Sequence, residues 1–163
     1  TIMLKNILIL RDEIEEEFAN IDNLNDNLQE IQNKDLNKKI KTRLSASILD
    51  DFYLASEKIF KKIAQEIDKE LPSGGDWHKK LLRSMTIELP ETRPPVINKK
   101  LFHKLEEYLR FRHLTRNIYG FQLNLERFEH LIIDLDDVIS KLNKQIIDFL
   151  DSMEEIAKKA DEE

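Results

Sequence analysis

Residues 125–156 read LERFEHLIIDLDDVISKLNKQIIDFLDSMEEI, with apolar side chains at Leu125, Phe128, Leu131, Ile132, Leu135, Val138, Ile139, Leu142, Ile146, Phe149, Leu150, Met153 and Ile156. Each gap is one, three or four residues, the spacing that lays side chains along one face of an α-helix rather than alternating them across a strand. Asn124 stands immediately before the series, where its side chain can cap the first turn. The charged tail from about Lys158 to Glu163 is expected to fray.

Working outward, Gly120 is placed to end a preceding helix by left-handed C-terminal capping. That helix is predicted over Lys99–Tyr119, with Asn98 as its cap and Phe102, Leu105, Leu109, Leu114 and Ile118 as its apolar series. Upstream, six of the seven Gly and Pro residues fall between Pro72 and Pro95, so 72–98 is the one irregular stretch. It has room for a short helix from Trp77 to about Glu88, with Asp76 placed to cap it. Two further series complete the chain. Leu4, Ile7, Leu10, Ile14, Phe18, Ile21, Leu24, Leu28 and Ile31 form one; Leu36, Ile40, Leu44, Ile48, Phe52, Ala55, Ile59, Ile63 and Ile67 form the other, ending at Leu71-Pro72. The short connection Asn33–Asp35 makes these two helices antiparallel neighbours. The expected architecture is all-α: an antiparallel bundle of about four long helices and one short one, as a single domain over 1–163.

Composition agrees, with 40% hydrophobic, 36% charged and only 7% aromatic residues. The absence of cysteine excludes disulfides, thiolate metal sites and cysteine nucleophiles, and fits a reducing, cytoplasmic setting. Lys5 and Asn6 interrupt the apolar start Ile2-Met3-Leu4, so no signal peptide or membrane span is expected. Thr1 in place of Met suggests numbering that begins after a processing boundary. The formal charge is −6, unevenly spread: Asp76 to Phe121 holds ten Lys/Arg against five acids. An acidic scaffold presenting one basic strip suits local contact with a polyanion, against the plainer reading of a chance excess on solvated faces.

Several chemistries are excluded. No Glu-x-x-His metal motif occurs, because Gly75, Lys100, Arg110 and Arg127 stand three residues before His78, His103, His113 and His130. His-Glu-x-x-His, Walker, EF-hand and nucleophile-elbow patterns are absent as well, and no metal or other cofactor is expected. The acidic run from Asp12 to Glu17 is punctuated by Ile14 and Phe18 and reads as a solvated face. Phe18, Phe52, Phe102 and Phe128 read as core, and Trp77 as a packed indole with His78 at a helix start.

One polar constellation is left: Arg110, Arg112, His113, Arg116, Asn117 and Tyr119. On a helix, Arg112, Arg116 and Tyr119 share a face, with His113 and Asn117 on the adjoining stripe. Two guanidiniums that fork onto phosphate, an imidazole, an amide and a phenol are ingredients of a phosphodiester site. The competing reading is a set of structural pairs with Asp or Glu of a neighbouring helix.

The frame Arg112, His113, Leu114-Thr115-Arg116, Asn117, Ile118, Tyr119 resembles the active helix of the HEPN superfamily and, within it, the HepT-like ribonuclease toxins. The resemblance extends through Trp77-His78-Lys79-Lys80-Leu81-Leu82, Met85, Glu88-Leu89-Pro90, Arg93-Pro94, Val96-Ile97 and Gly120-Phe121, covering about Trp77 to Arg127. It implies a HEPN-type bundle that forms a homodimer, with two motif helices facing across one composite cleft. It further implies metal-independent RNA cleavage, in which the 2′-hydroxyl attacks its own phosphate while Arg112 stabilises charge. Arg110, Arg116, Lys79 and Lys80 are the expected RNA-binding cations.

The chain departs from that pattern where Asn117 occupies the His position, since an amide cannot exchange a proton near neutral pH. Either activity is attenuated, or His113 supplies the proton chemistry, or positioning and arginine electrostatics suffice. Tyr119 stands where such proteins keep a tyrosine that a partner nucleotidyltransferase antitoxin modifies with AMP; the alternative is a Tyr closing the core. The leading expectation is therefore an endoribonuclease toxin of a toxin–antitoxin pair. Behind it stand a noncatalytic HEPN protein binding RNA or the nucleotidyltransferase, and a structural helical adaptor.

Overall fold

Five α-helices make up the computed structural model, which describes residues 2–162, Ile2 by its backbone alone. Thr1 and Glu163, touched by the expectations on numbering and on the tail, lie outside the described residues. The helices are α1 (Ile2–Asn33), α2 (Lys38–Ile63), α3 (Trp77–Ser84), α4 (Lys99–Thr115) and α5 (Leu125–Glu162). Among the described residues the only β-type pairing is a lone bridge between Leu89 and Arg93, so the fold is all-α.

α1 and α2 pack along each other, α5 lies against α1 and α4, and α4 is seated between α2 and α5. The short α3 rests on α2 and α4. Buried Leu10, Ile14 and Ile21 of α1 meet Phe52, Ile59 and Phe60 of α2 and Leu135, Leu142 and Ile146 of α5 in one connected core. Each such side chain contributes about 1.5–3 kcal/mol on removal from water. No helix among the described residues is long and apolar enough to cross a membrane.

The caps divide. Asn98 accepts from the Leu101 amide at 2.8 Å and Asn124 from that of Glu126 at 3.2 Å. Asp76 makes no capping bond and pairs instead with Lys80 one turn on.

The buried stripes are partly rotated from the expected ones. In α4 they run through Leu101, Leu105, Tyr108 and Phe111, while Leu114 is exposed and Phe102 only half-buried. Tyr108 is drawn inside because its hydroxyl donates to the Leu131 carbonyl at 2.6 Å. At the start of α2, Thr42, Ser45 and Ala46 face inward and Ile40 and Leu44 outward. At the end of α5, Ala157 is buried rather than Ile156, and the helix runs to Glu162.

Three boundaries also move. α2 passes at Ala64 into a π-helical turn that ends on Lys69 at φ 61°. α3 stops at Ser84, not near Glu88, because three successive amides, Met85, Thr86 and Ile87, bond three residues back and tighten the chain into turns. α4 stops at Thr115, not at Tyr119.

Arg93 anchors the irregular segment. It is 3% exposed and forks onto Asp68 at 2.6 and 3.0 Å while donating to the carbonyls of Ser84, Ile87 and Pro94. The Met85 carbonyl in turn receives the amides of Val96 and Ile97. This knot ties the end of α3 and the approach to α4 to the π-helical turn that follows α2.

Candidate functional site

The buried stripe Leu101, Leu105, Tyr108 and Phe111 is bordered by Arg112, four residues beyond Tyr108, so a guanidinium stands at the edge of the core-facing side of α4. Arg112 is half-buried, and its Nη1 donates to the Asp50 backbone carbonyl at 3.1 Å. Thr115, three residues on, donates its hydroxyl to Asp50 Oδ2 at 2.6 Å. The other carboxylate oxygen of Asp50 is buried without a hydrogen-bond partner. Burial raises the Asp50 pKa, opposed by the Thr115 bond and by the charges of Arg112 and Arg116. The guanidinium thus faces α2 with most of its donors uncommitted.

A polar line runs on along α2. Tyr53 is fully buried with an unpartnered hydroxyl. Its pKa is pushed far up, first by burial and then by the charge of Glu57, while Arg112 pulls it down. Glu57, itself buried, lies 2.7 Å from Nδ1 of His78 on α3. The His78 ring stacks on Trp77 at 3.6 Å, and Lys61 Nζ sits 4.4 Å from the Trp77 ring centre. Trp77 is half-buried, packed as expected.

A separate groove of about 580 Å³ opens between α3 and the other face of α4. Leu109 and Leu114 contribute its apolar surface; Lys79, Arg110, His113 and Asn117 bring the polar groups. The candidate residues therefore divide between two faces. Arg112 and Thr115 look toward α2, whereas His113 and Asn117 look toward α3.

The expected shared face of Arg112, Arg116 and Tyr119 is cut short by the end of α4. The Arg116 amide still bonds to the Arg112 carbonyl, but that of Asn117 bonds to Leu114 three residues back, and Tyr119 is extended at φ −76°, ψ 148°. Gly120 does not take the left-handed cap conformation, since Gly74 is the only described glycine with positive φ. It opens a 3₁₀ turn, Gly120–Gln122, closed by the Tyr119 amide donating to Gln122 Oε1 at 2.8 Å.

Asn117 is exposed, and its Nδ2 donates to the His113 carbonyl at 2.6 Å. Arg116 and Lys79 are exposed without side-chain hydrogen bonds or ion pairs, whereas Arg110 pairs with Glu106 and Lys80 with Asp76. Tyr119 does not close the core: it is 71% exposed and stacks on Phe121, also exposed, at 5.4 Å and 10°. Among the described residues no group of three His, Asp or Glu side chains could hold a metal ion.

Asp50, Tyr53, Glu57 and Thr115 were not singled out from the sequence. The first three stand at i, i+3 and i+7 on α2, a polar series on a helix face that borders the core, and that spacing is the signal that marks them.

A family model described as HepT-like protein matches residues 44–153, more than half of the chain. No curated protein and no solved structure matches. The matched span takes in the greater part of α2, all of α3 and α4, and most of α5, the helices that assemble this site, and the chain belongs to the HepT-like family of HEPN-type proteins.

Proposed function

We propose that the protein is a toxin-type endoribonuclease acting in the cytoplasm, cutting RNA at a cleft formed where two copies bring their α4 helices together. The observation that carries this reading is the state of Arg112. It is held on one nitrogen by a main-chain carbonyl and neutralised by no direct ion pair, with the uncommitted Arg116 one turn on; Lys79, also uncommitted, lines the groove on the other face of α4. A structural adaptor would instead close that face with carboxylates.

In the proposed reaction the RNA 2′-oxygen bonds to the adjacent phosphorus as the bond to the 5′-oxygen breaks. The 2′-hydroxyl proton is taken up, and one is delivered to the leaving oxygen. Arg112 and Arg116 stabilise the charge building on the phosphate. His113 is the nearest imidazole in sequence for the proton work, and Asn117 orients or donates without exchanging a proton. AMP transfer to the accessible Tyr119 hydroxyl by a nucleotidyltransferase antitoxin would put negative charge beside these arginines and silence them.

A noncatalytic reading, binding RNA or the nucleotidyltransferase through the same surface, is favoured by one observation. The Asn117 amide is spent on its own helix end rather than presented to a ligand.

Cleavage of a labelled RNA by the purified protein, with and without chelator and beside Arg112→Ala, tests the proposal. Cleavage lost in the variant and unaffected by chelator supports it; equal cleavage by both proteins sinks the site. Light scattering should give about twice the 19.4 kDa chain mass, and a monomer at micromolar concentration removes the composite cleft.

A further inference from the structure

The α1–α2 connection and the first turns of α2 carry a second cluster of basic residues ahead of the site. Residues 34–43 hold Lys34, Lys38, Lys39, Lys41 and Arg43 against the single acid Asp35. Three of these cations are engaged: Lys34 with Glu30, Lys38 with Glu126, and Lys41 with the Gln32 carbonyl. Lys39 and Arg43 are exposed, without hydrogen bonds or ion pairs, and stand four residues apart on one face.

That face leads to the candidate site. Arg43 and Asp50 are seven residues apart, two turns of helix and roughly 10 Å along the axis, and Asp50 is the residue that holds Arg112. Opposite Arg43 lies the Gly120 turn. A Cβ at position 120 would fall 2.9 Å from Arg43 Cζ, so the missing side chain is what lets the guanidinium lie against the turn. The same turn displays the Tyr119–Phe121 stack, whose rings are 71% and 75% exposed. A cleft of about 700 Å³ separates Lys39 and Arg43 from Phe121, with Glu126 on its rim already engaged by Lys38.

We infer that this cleft is a track for single-stranded RNA leaving the Arg112 site, with the Tyr119–Phe121 pair as a base-stacking platform and Lys39 and Arg43 as phosphate contacts. Free cations on one wall and, on the other, Phe121, whose ring stacks parallel to that of Tyr119 just outside the cleft, are the two components of single-strand grooves. The one carboxylate lining the cleft is spent on Lys38, so Lys39 and Arg43 face it uncompensated and call for an anionic occupant. Both Lys39 and Arg43 precede the residues matched by the family model. The inference rests on the RNA reading above and names the path of the strand.

Fluorescence anisotropy with a labelled 2′-O-methyl oligouridylate, which cannot be cleaved, tests it; a length of about eight nucleotides lies within the site size of such grooves. Phe121→Ala should weaken binding about 5- to 100-fold, and Phe121→Trp should retain it. Arg43→Ala should weaken binding and reduce the slope of log affinity against log salt by about 0.7. Unchanged affinity in both alanine variants, with cleavage still dependent on Arg112, overturns the track and leaves the nuclease reading standing. Wild-type protein that neither binds the oligonucleotide nor cleaves RNA overturns both. A halved mass on Phe121→Ala in light scattering makes the face a subunit contact and also overturns the track.

Discussion

The guanidinium of Arg112 hangs from the backbone carbonyl of Asp50 at 3.1 Å rather than from a carboxylate. A neutral acceptor fixes the side chain's direction without a direct ion pair, although the nearby Asp50 carboxylate still feels the guanidinium's charge. The Asp50 side chain is occupied by Thr115, which turns the last residue of α4 onto α2. One residue of α2 thus orients two of α4.

Asp50→Asn separates the charge of that carboxylate from its shape, since the amide oxygen still accepts from Thr115. Burial raises the folded-state pKa above the usual value of 3.8. The folded protein therefore holds this proton more tightly than the unfolded chain. The resulting stability is present below pH 3.8 and lost as pH rises through the raised folded value. Melting curves should accordingly move in favour of Asp50→Asn, relative to wild type, between pH 3 and pH 7. A difference between the two proteins that does not change with pH refutes the shift.

Arg93→Lys should be among the most damaging single changes outside the candidate site. Lysine keeps the charge but cannot fork onto Asp68 while also serving three carbonyls. Breaking such a buried pair costs about 3–5 kcal/mol, or roughly 10 °C in melting temperature for a chain of this size. Calorimetry showing a loss of only a degree or two would mean that the irregular segment does not depend on Arg93.

The helical class and the antiparallel pairing of α1 with α2 were legible because long apolar stripes survive small errors of register. The end of α4 was not, because Arg116, Asn117 and Ile118 all tolerate helix and the decisive event is a change to three-residue bonding at Asn117. Gly120 misled for a related reason. Its lack of a side chain serves the approach of Arg43, a residue 77 positions earlier, rather than a left-handed backbone. Asp50 was hidden because its polar series with Tyr53 and Glu57, at i, i+3 and i+7, reads equally as a solvated face on a long charged helix. Only the packing of α4 on α2 brings it to Arg112.

Gly120→Ala isolates that close approach. The obstructing atoms belong to the far end of a flexible side chain, so Arg43 should swing aside at a cost below about 1 kcal/mol. Oligonucleotide affinity should then fall toward that of Arg43→Ala, and adding Gly120→Ala to Arg43→Ala should change nothing more. Additive losses in the double variant would mean that the two residues act separately.

Asn117→His bears on whether the site is a working nuclease. The side chain lies beyond the end of α4, exposed, and its present bond to the His113 carbonyl closes the helix rather than serving a substrate. An imidazole fits the same open position and adds a group that exchanges protons near neutral pH, a capacity that contributes about 10²- to 10⁴-fold in general acid–base catalysis. RNA cleavage should rise by a factor in that range and remain dependent on Arg112. His113→Ala in the native background completes the comparison. If it abolishes cleavage while Asn117→His adds nothing, the proton passes through His113 one turn earlier. If neither change alters the rate, the surface works by electrostatic positioning, and Arg112 and Arg116 carry whatever catalysis there is.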